Sequence, residues 1–135
     1  MKSFKEMYSL SYDTSGFNSG LVNWYNQLID KTYENLTIID VCKMIRQNIL
    51  KDDAIKKAIE LFLNNPYEGE YYEGGLLEVL TSLNVSLLGN LHVDELKTVL
   101  KRIKHDYIYF EWSDIELMNN FTNNIELMSN KIEFM

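Results

Sequence analysis

A chain of 135 residues has the size of one ordinary domain, and with 46% apolar and 24% charged residues it needs neither a disulfide nor a metal to hold a core. The net charge of −7 disfavours direct binding to nucleic acid and favours a basic partner, although acidity can also serve solubility alone. The sequence has no run of about 18 apolar residues and no signal-peptide pattern at its start, so we expect a cytoplasmic protein that does not bind a membrane.

The first third of the chain predicts a lead-in followed by helices. Residues 1–20 predict a loop, or a short strand at best, because Asp13-Thr14-Ser15-Gly16 interrupts the only alternating stretch. The apolar spacing over Leu21–Tyr33 predicts the first helix. Thr37 predicts the capped start of the second helix, since Asp40 follows three residues later as in a capping box.

The middle of the chain predicts three further helices. One opens at Lys51 or Asp52 and ends at Asn64-Asn65-Pro66, because the residue before a proline disfavours helix. Gly74-Gly75 predicts a sharp turn into the next helix, and Asp94–Lys104 predicts the one after it. The apolar residues expected in the core from Thr37 onward are Val41, Met44, Ile45, Ile49, Ile55, Ile59, Phe62, Leu63, Leu76, Leu77, Leu80, Leu83, Leu96, Val99, Leu100 and Ile103.

The last thirty residues are less regular. Tyr107–Trp112 is compatible with a strand or with the end of a helix. Ser113 and Glu116 fit a capping box for a helix over Asp114–Phe121, and Ile125–Met135 predicts a last, separate helix.

Taken together, these elements predict an all-α fold. We expect a compact single-domain bundle of about six helices over residues 1–135, with a short strand or irregular segment near either end as the open alternative.

Residue types that carry chemistry are sparse in this chain. Cys42 lies among apolar neighbours and predicts a buried, inert thiol, and His92 and His105 lack the spacing of metal ligands. No glycine-rich phosphate-binding motif occurs, and neighbouring acids such as Glu68 and Glu73 are more often solvated than catalytic. We therefore expect no catalytic residue, no cofactor and no metal, and a binding protein rather than an enzyme.

The charges are unevenly distributed. Between Ala58 and Leu96 there are seven acids and no Lys or Arg, and from Asp106 to Met135 there are six acids and one base, Lys131. This asymmetry favours a surface that binds a basic partner.

The centre of the chain resembles a known family. The residues that carry the resemblance are Ile45-Arg46-Gln47-Asn48-Ile49, Ala58-Ile59-Glu60-Leu61, Asn65-Pro66-Tyr67 and Tyr71-Tyr72-Glu73-Gly74-Gly75-Leu76-Leu77. Their order and spacing over about residues 37–83 are similar to those of CdiI, the immunity proteins of bacterial contact-dependent growth inhibition (CDI) systems. One departure is Gly75, where the family pattern has an acid.

The resemblance implies a function. Such a protein binds and neutralises the toxic C-terminal domain of a cognate CdiA effector; many of these domains are nucleases, so the acidic protein would occlude a basic active site. A different kind of binding protein, an acidic helical adaptor or regulator of another basic protein, stays open, as does the oligomeric state.

The positions that we expect to bind the partner combine aromatic and acidic side chains outside the shared signature: Tyr107, Tyr109, Glu111, Trp112, Asp114 and Glu116, followed by Glu68 and Glu70. The equally simple alternative is that Tyr107–Trp112 is buried.

Overall fold

The structure is a computed structural model that describes residues 1–15, 19–88, 90 and 92–133. Over these residues the regular elements are helical, and the one β-type contact is an isolated bridge between Ser3 and Thr32. The all-α prediction is confirmed, but eight α-helices replace the six expected. They are α1 Phe4–Met7, α2 Gly20–Ile29, α3 Ile38–Gln47, α4 Lys51–Asn64, α5 Gly75–Ser82, α6 Val85–Leu88, α7 Val93–Asp106 and α8 Ile115–Glu133.

The N-terminal segment departs from the prediction of an irregular lead-in. Ser3 caps α1 and forms a capping box with Glu6, and Phe4 is fully buried in the core. Gly16 of the predicted chain break lies outside the described residues. The prediction of helix as far as Tyr33 is also wrong, because α2 ends at Ile29 and Tyr33 lies in a short 3-10 turn.

The central helices follow the sequence closely. Thr37 and Asp40 form the predicted capping box at the start of α3, and α4 ends before Pro66 as expected. α3 packs against α4, and α4 in turn packs against α5 and α7. Their apolar faces share one core with α8, and a chain of this size can form such a core without disulfide cross-links.

Gly74 fixes the turn into α5, as the sequence predicts. Its φ is +80°, and an added Cβ would lie 2.8 Å from Cδ1 of Phe121. A side chain at this position is therefore disfavoured by both the left-handed backbone conformation and the close approach of Phe121 on α8.

The C-terminal helices lie side by side. α7 contains the predicted Asp94–Lys104, and the four apolar residues predicted for its inner face are buried. Two separate C-terminal helices were predicted, which is wrong: one helix of 19 residues, α8, spans both segments. Phe134 and Met135 lie outside the described residues. The helix continues because one stripe is buried along its length against α5 and α7: Phe121, Ile125, Met128 and Ile132.

Candidate functional site

Two segments that are distant in sequence pack against each other. They are the loop of residues 67–73 (the 67–73 loop) and the stretch of residues 107–116 (the 107–116 segment). The ring of Tyr67 stacks on the ring of Phe110 with centroids 4.4 Å apart, and it also contacts the rings of Trp112 at 5.9 Å and Phe121 at 5.3 Å. These four residues, here called the aromatic cluster, fasten both segments to α8.

Hydrogen bonds reinforce this contact. The indole N–H of Trp112 donates to the carbonyl oxygen of Tyr107 at 2.8 Å, which closes the 107–116 segment on itself. The backbone N–H of Ser113 donates to Oε2 of Glu73 at 3.0 Å, and the hydroxyl of Ser113 donates to the other carboxylate oxygen. These bonds from Ser113 hold the pKa of Glu73 below its usual range.

The predicted capping box of Ser113 and Glu116 is therefore wrong. The hydroxyl of Ser113 is engaged by Glu73, forty residues away in sequence. Asp114 precedes α8 instead, and its Oδ1 accepts the backbone N–H of Glu116 at 2.7 Å.

The predicted partner-binding residues fall into two groups. Trp112 and Tyr107 are half-buried and pack against the core. The other predicted partner-binding residues of this segment face solvent, and the exposed fraction of Tyr109 is 83%. The predicted residues that are exposed are Tyr109, Glu111, Asp114, Glu116 and Glu68.

Glu70 has a different environment from Glu68. Its carboxylate accepts two hydrogen bonds from the guanidinium of Arg46, at 2.7 and 2.9 Å, and its side chain is only 6% exposed. The bonds from Arg46 lower the pKa of Glu70, so the carboxylate is ionised and paired in the free protein.

The set of partner-binding residues predicted from the sequence left out four exposed apolar or aromatic side chains in these segments, of which Tyr72 is 41% exposed. Ile108 is 62% exposed, Ile115 is 69% exposed, and Tyr71 is 80% exposed. The available signal was helical spacing: Ile115 lies six residues before Phe121, off the buried stripe of α8.

The resulting surface is acidic with apolar centres. Glu68 lies in the 67–73 loop, and Glu111, Asp114 and Glu116 lie in the 107–116 segment. Neither segment contains Lys or Arg, and the charge of Arg46 beside the loop is matched by Glu70. The acids make this surface complementary in charge to a basic protein surface, and the exposed aromatic and aliphatic side chains add apolar contact area.

Reactive groups are scarce in the described part of the chain. Cys42 is fully buried, as predicted, and burial raises the pKa of its thiol to about 11. Over residues 1–15, 19–88, 90 and 92–133, no group of three or more His, Cys, Asp or Glu side chains is placed to share a metal ion. None of the helices in these ranges combines the length and the hydropathy needed to cross a bilayer.

Comparison with known families identifies the chain. No curated protein matches it. The family model of the CDI immunity proteins matches residues 6–102, which is well over half of the chain and includes the central residues 37–83 that carry the resemblance. The chain therefore belongs to the family of CDI immunity proteins.

Proposed function

We propose that this protein neutralises its cognate CdiA toxin by covering the toxin's active site with the surface formed by the 67–73 loop and the 107–116 segment. Membership of the CDI immunity family supports a toxin domain as the partner. The proposal adds that the toxin is a nuclease and that its active site is basic.

The observation that carries this proposal is that the surface combines carboxylates with exposed apolar and aromatic side chains. In the 107–116 segment, three exposed apolar or aromatic side chains are interspersed with three acids along the chain: Ile108, Tyr109, Glu111, Asp114, Ile115 and Glu116. The 107–116 segment contains no Lys or Arg. A nuclease binds phosphates with Lys and Arg side chains, so carboxylates can occupy the positions of the phosphates while apolar groups exclude water.

The rigidity of the surface also supports the proposal. The aromatic cluster and the bonds between Glu73 and Ser113 hold the 107–116 segment in place before any partner arrives. A preformed surface loses little conformational entropy on binding, which favours the slow dissociation that an inhibitor requires.

The position of the 107–116 segment agrees with a role in specificity. The family model ends at residue 102, so this segment lies beyond the part of the chain that the model matches. Each immunity protein must recognise its own toxin, and a segment outside the common part is a suitable place for that recognition.

The proposal is tested by reversing two charges on the surface. In cells that express the cognate toxin domain, we expect Glu111→Lys with Glu116→Lys to weaken rescue of growth. We expect association of the purified proteins to slow by about tenfold or more at low salt. Both side chains are exposed, so the thermal midpoint should change little.

A matched control carries the same change of charge elsewhere. Glu34 and Glu133 are exposed, and Glu133 is 17 residues further along α8 than Glu116, about 25 Å away. Glu34→Lys with Glu133→Lys should leave rescue intact. Undiminished rescue by the Glu111/Glu116 variant would place recognition on another surface, and failure of the wild-type protein to bind the toxin domain would favour the adaptor alternative.

A further inference from the structure

A pocket adjoins the surface formed by the 67–73 loop and the 107–116 segment. It has a volume of about 250 Å³ and shares Glu70, Tyr71 and Tyr72 with the hollow under the 67–73 loop. The side chains that define its chemistry are Arg46, Glu70, Tyr71, Tyr72, Glu78 and Val79.

The walls of this pocket are aromatic and carry one excess negative charge. Tyr71 is 80% exposed and Tyr72 is 41% exposed, and the hydroxyl of Tyr72 donates to Oε2 of Glu78 at 2.8 Å. The charge of Arg46 is cancelled by its two bonds to Glu70. Within the described residues no ion pair engages Glu78, so its carboxylate is the uncompensated charge.

Tyr71 is held in a position that suits a cation. The guanidinium of Arg46 lies 5.9 Å from the centroid of the Tyr71 ring, and Arg46 is itself fixed by the nearly buried carboxylate of Glu70. The ring remains largely accessible, and a second cation that reached it would also find the carboxylate of Glu78 in the same pocket.

We propose that this pocket receives one Lys or Arg side chain of the toxin domain. The inference rests on the proposed function, because it identifies a further contact within the same complex. The volume lies just below the range of about 300–1,000 Å³ typical of small-molecule sites, and it suits a single long side chain. Aromatic faces and a carboxylate together bind a cationic side chain through both its stem and its charge.

Continuity with the acidic surface identifies the toxin as the source of that side chain. A stable interface covers about 20–30 residues on each partner, more than the 67–73 loop and the 107–116 segment provide. A toxin seated on these segments would extend across Tyr71 and Tyr72, which border both hollows.

The test uses the toxin domain of the cognate CdiA effector and measures dissociation of the complex. We expect Tyr71→Ala and Glu78→Gln each to raise the dissociation rate by about tenfold. Tyr71→Phe keeps the ring and should remain within about twofold of the wild-type rate, as should the control Glu34→Gln, which lines neither hollow. Thermal melting should be unchanged for all four variants, since these side chains are exposed.

A charge reversal identifies the partner residue. Glu78→Lys should weaken binding strongly, and replacing one Lys or Arg of the toxin by Glu should restore it in a double-mutant cycle. If the wild-type protein binds tightly while Tyr71→Ala and Glu78→Gln dissociate at the wild-type rate, the pocket assignment alone is wrong. If the wild-type protein does not bind the toxin domain, the proposed function is wrong, and the pocket assignment fails with it.

Discussion

Asp40 shows how much one buried carboxylate contributes to this fold. Its side chain is 6% exposed, and it accepts hydrogen bonds from Nζ of Lys31 at 2.7 Å and from the backbone N–H of Thr37 at 3.0 Å. Burial by itself would raise the pKa of Asp40, but the bonds from Lys31 and Thr37 outweigh it and lower the pKa below its usual value. Asp40 therefore joins the start of α3 to Lys31, two residues beyond the end of α2.

We expect Asp40→Asn to lower the free energy of unfolding at pH 7 by about 1–3 kcal/mol. Because the pKa of Asp40 is lower in the folded protein, its stabilisation is complete above the unfolded-state value of about 3.9 and is lost as the pH falls below it. The difference between the wild-type protein and Asp40→Asn should thus shrink from pH 7 to pH 3 in urea titrations.

The control for this prediction is Asp52→Asn, which alters an exposed acid in the first turn of α4. It should change the free energy of unfolding by less than about 0.5 kcal/mol. A difference for Asp40→Asn that is as large at pH 3 as at pH 7 would show that the ionised carboxylate is not the source of the stabilisation.

The candidate site shows which properties of single residues could be predicted from the sequence. The acids at 111, 114 and 116 are exposed as their polarity suggests, whereas Tyr107 and Trp112 pack inward. Glu70 and Arg46 are 24 residues apart in sequence, so no local sequence pattern predicts that they form an ion pair. Tyr71 lies over that ion pair, and the set of partner-binding residues predicted from the sequence did not include it.

Among the elements, those governed by local rules were predictable. The four core residues of α7 follow from helical spacing, and the cap at Thr37 follows from its neighbour Asp40. Elements governed by distant contacts were not. Ser113 carries a local capping signal, but Glu73 takes its hydroxyl, and the unbroken α8 depends on burial against α5 and α7.

Gly74 permits a test of how α5 is attached to α8. We expect Gly74→Ala to lower the free energy of unfolding by about 1–3 kcal/mol, because alanine is strained at φ +80° and its Cβ would press on Phe121. Chemical denaturation of the purified variant measures this loss.

Gly20 provides the matched comparison for Gly74. It is the first residue of α2, and nothing lies within 4 Å of the position of its Cβ. Gly20→Ala should be neutral or stabilise the protein by up to about 1 kcal/mol. Equal effects of the two substitutions would contradict the role assigned to the turn at Gly74.

For the whole molecule, the distribution of charge has a kinetic consequence. The net charge is −7, yet Lys97, Lys101 and Lys104 lie together on α7, so the negative potential is concentrated on other faces. Concentrated charge of one sign accelerates encounter with an oppositely charged partner.

We expect the association rate with the cognate toxin domain to fall as salt rises from about 0.02 to about 0.3 M, because the Debye length shortens over this range. Stopped-flow measurements of the wild-type protein should show a steeper dependence than those of the Glu111→Lys, Glu116→Lys variant. Dissociation should depend little on salt. An association rate that does not change with salt would contradict the basic partner.

The aromatic cluster bears on how related immunity proteins can come to recognise different toxins. Tyr67 lies inside the stretch matched by the family model, whereas Phe110 and Trp112 lie beyond it. The aromatic cluster therefore holds the 107–116 segment against the helices that form the core. Under the proposed function, the outward-facing positions of the 107–116 segment can be exchanged while the inward-facing rings are kept, so that a preference for a different toxin can arise without a change in the helical core.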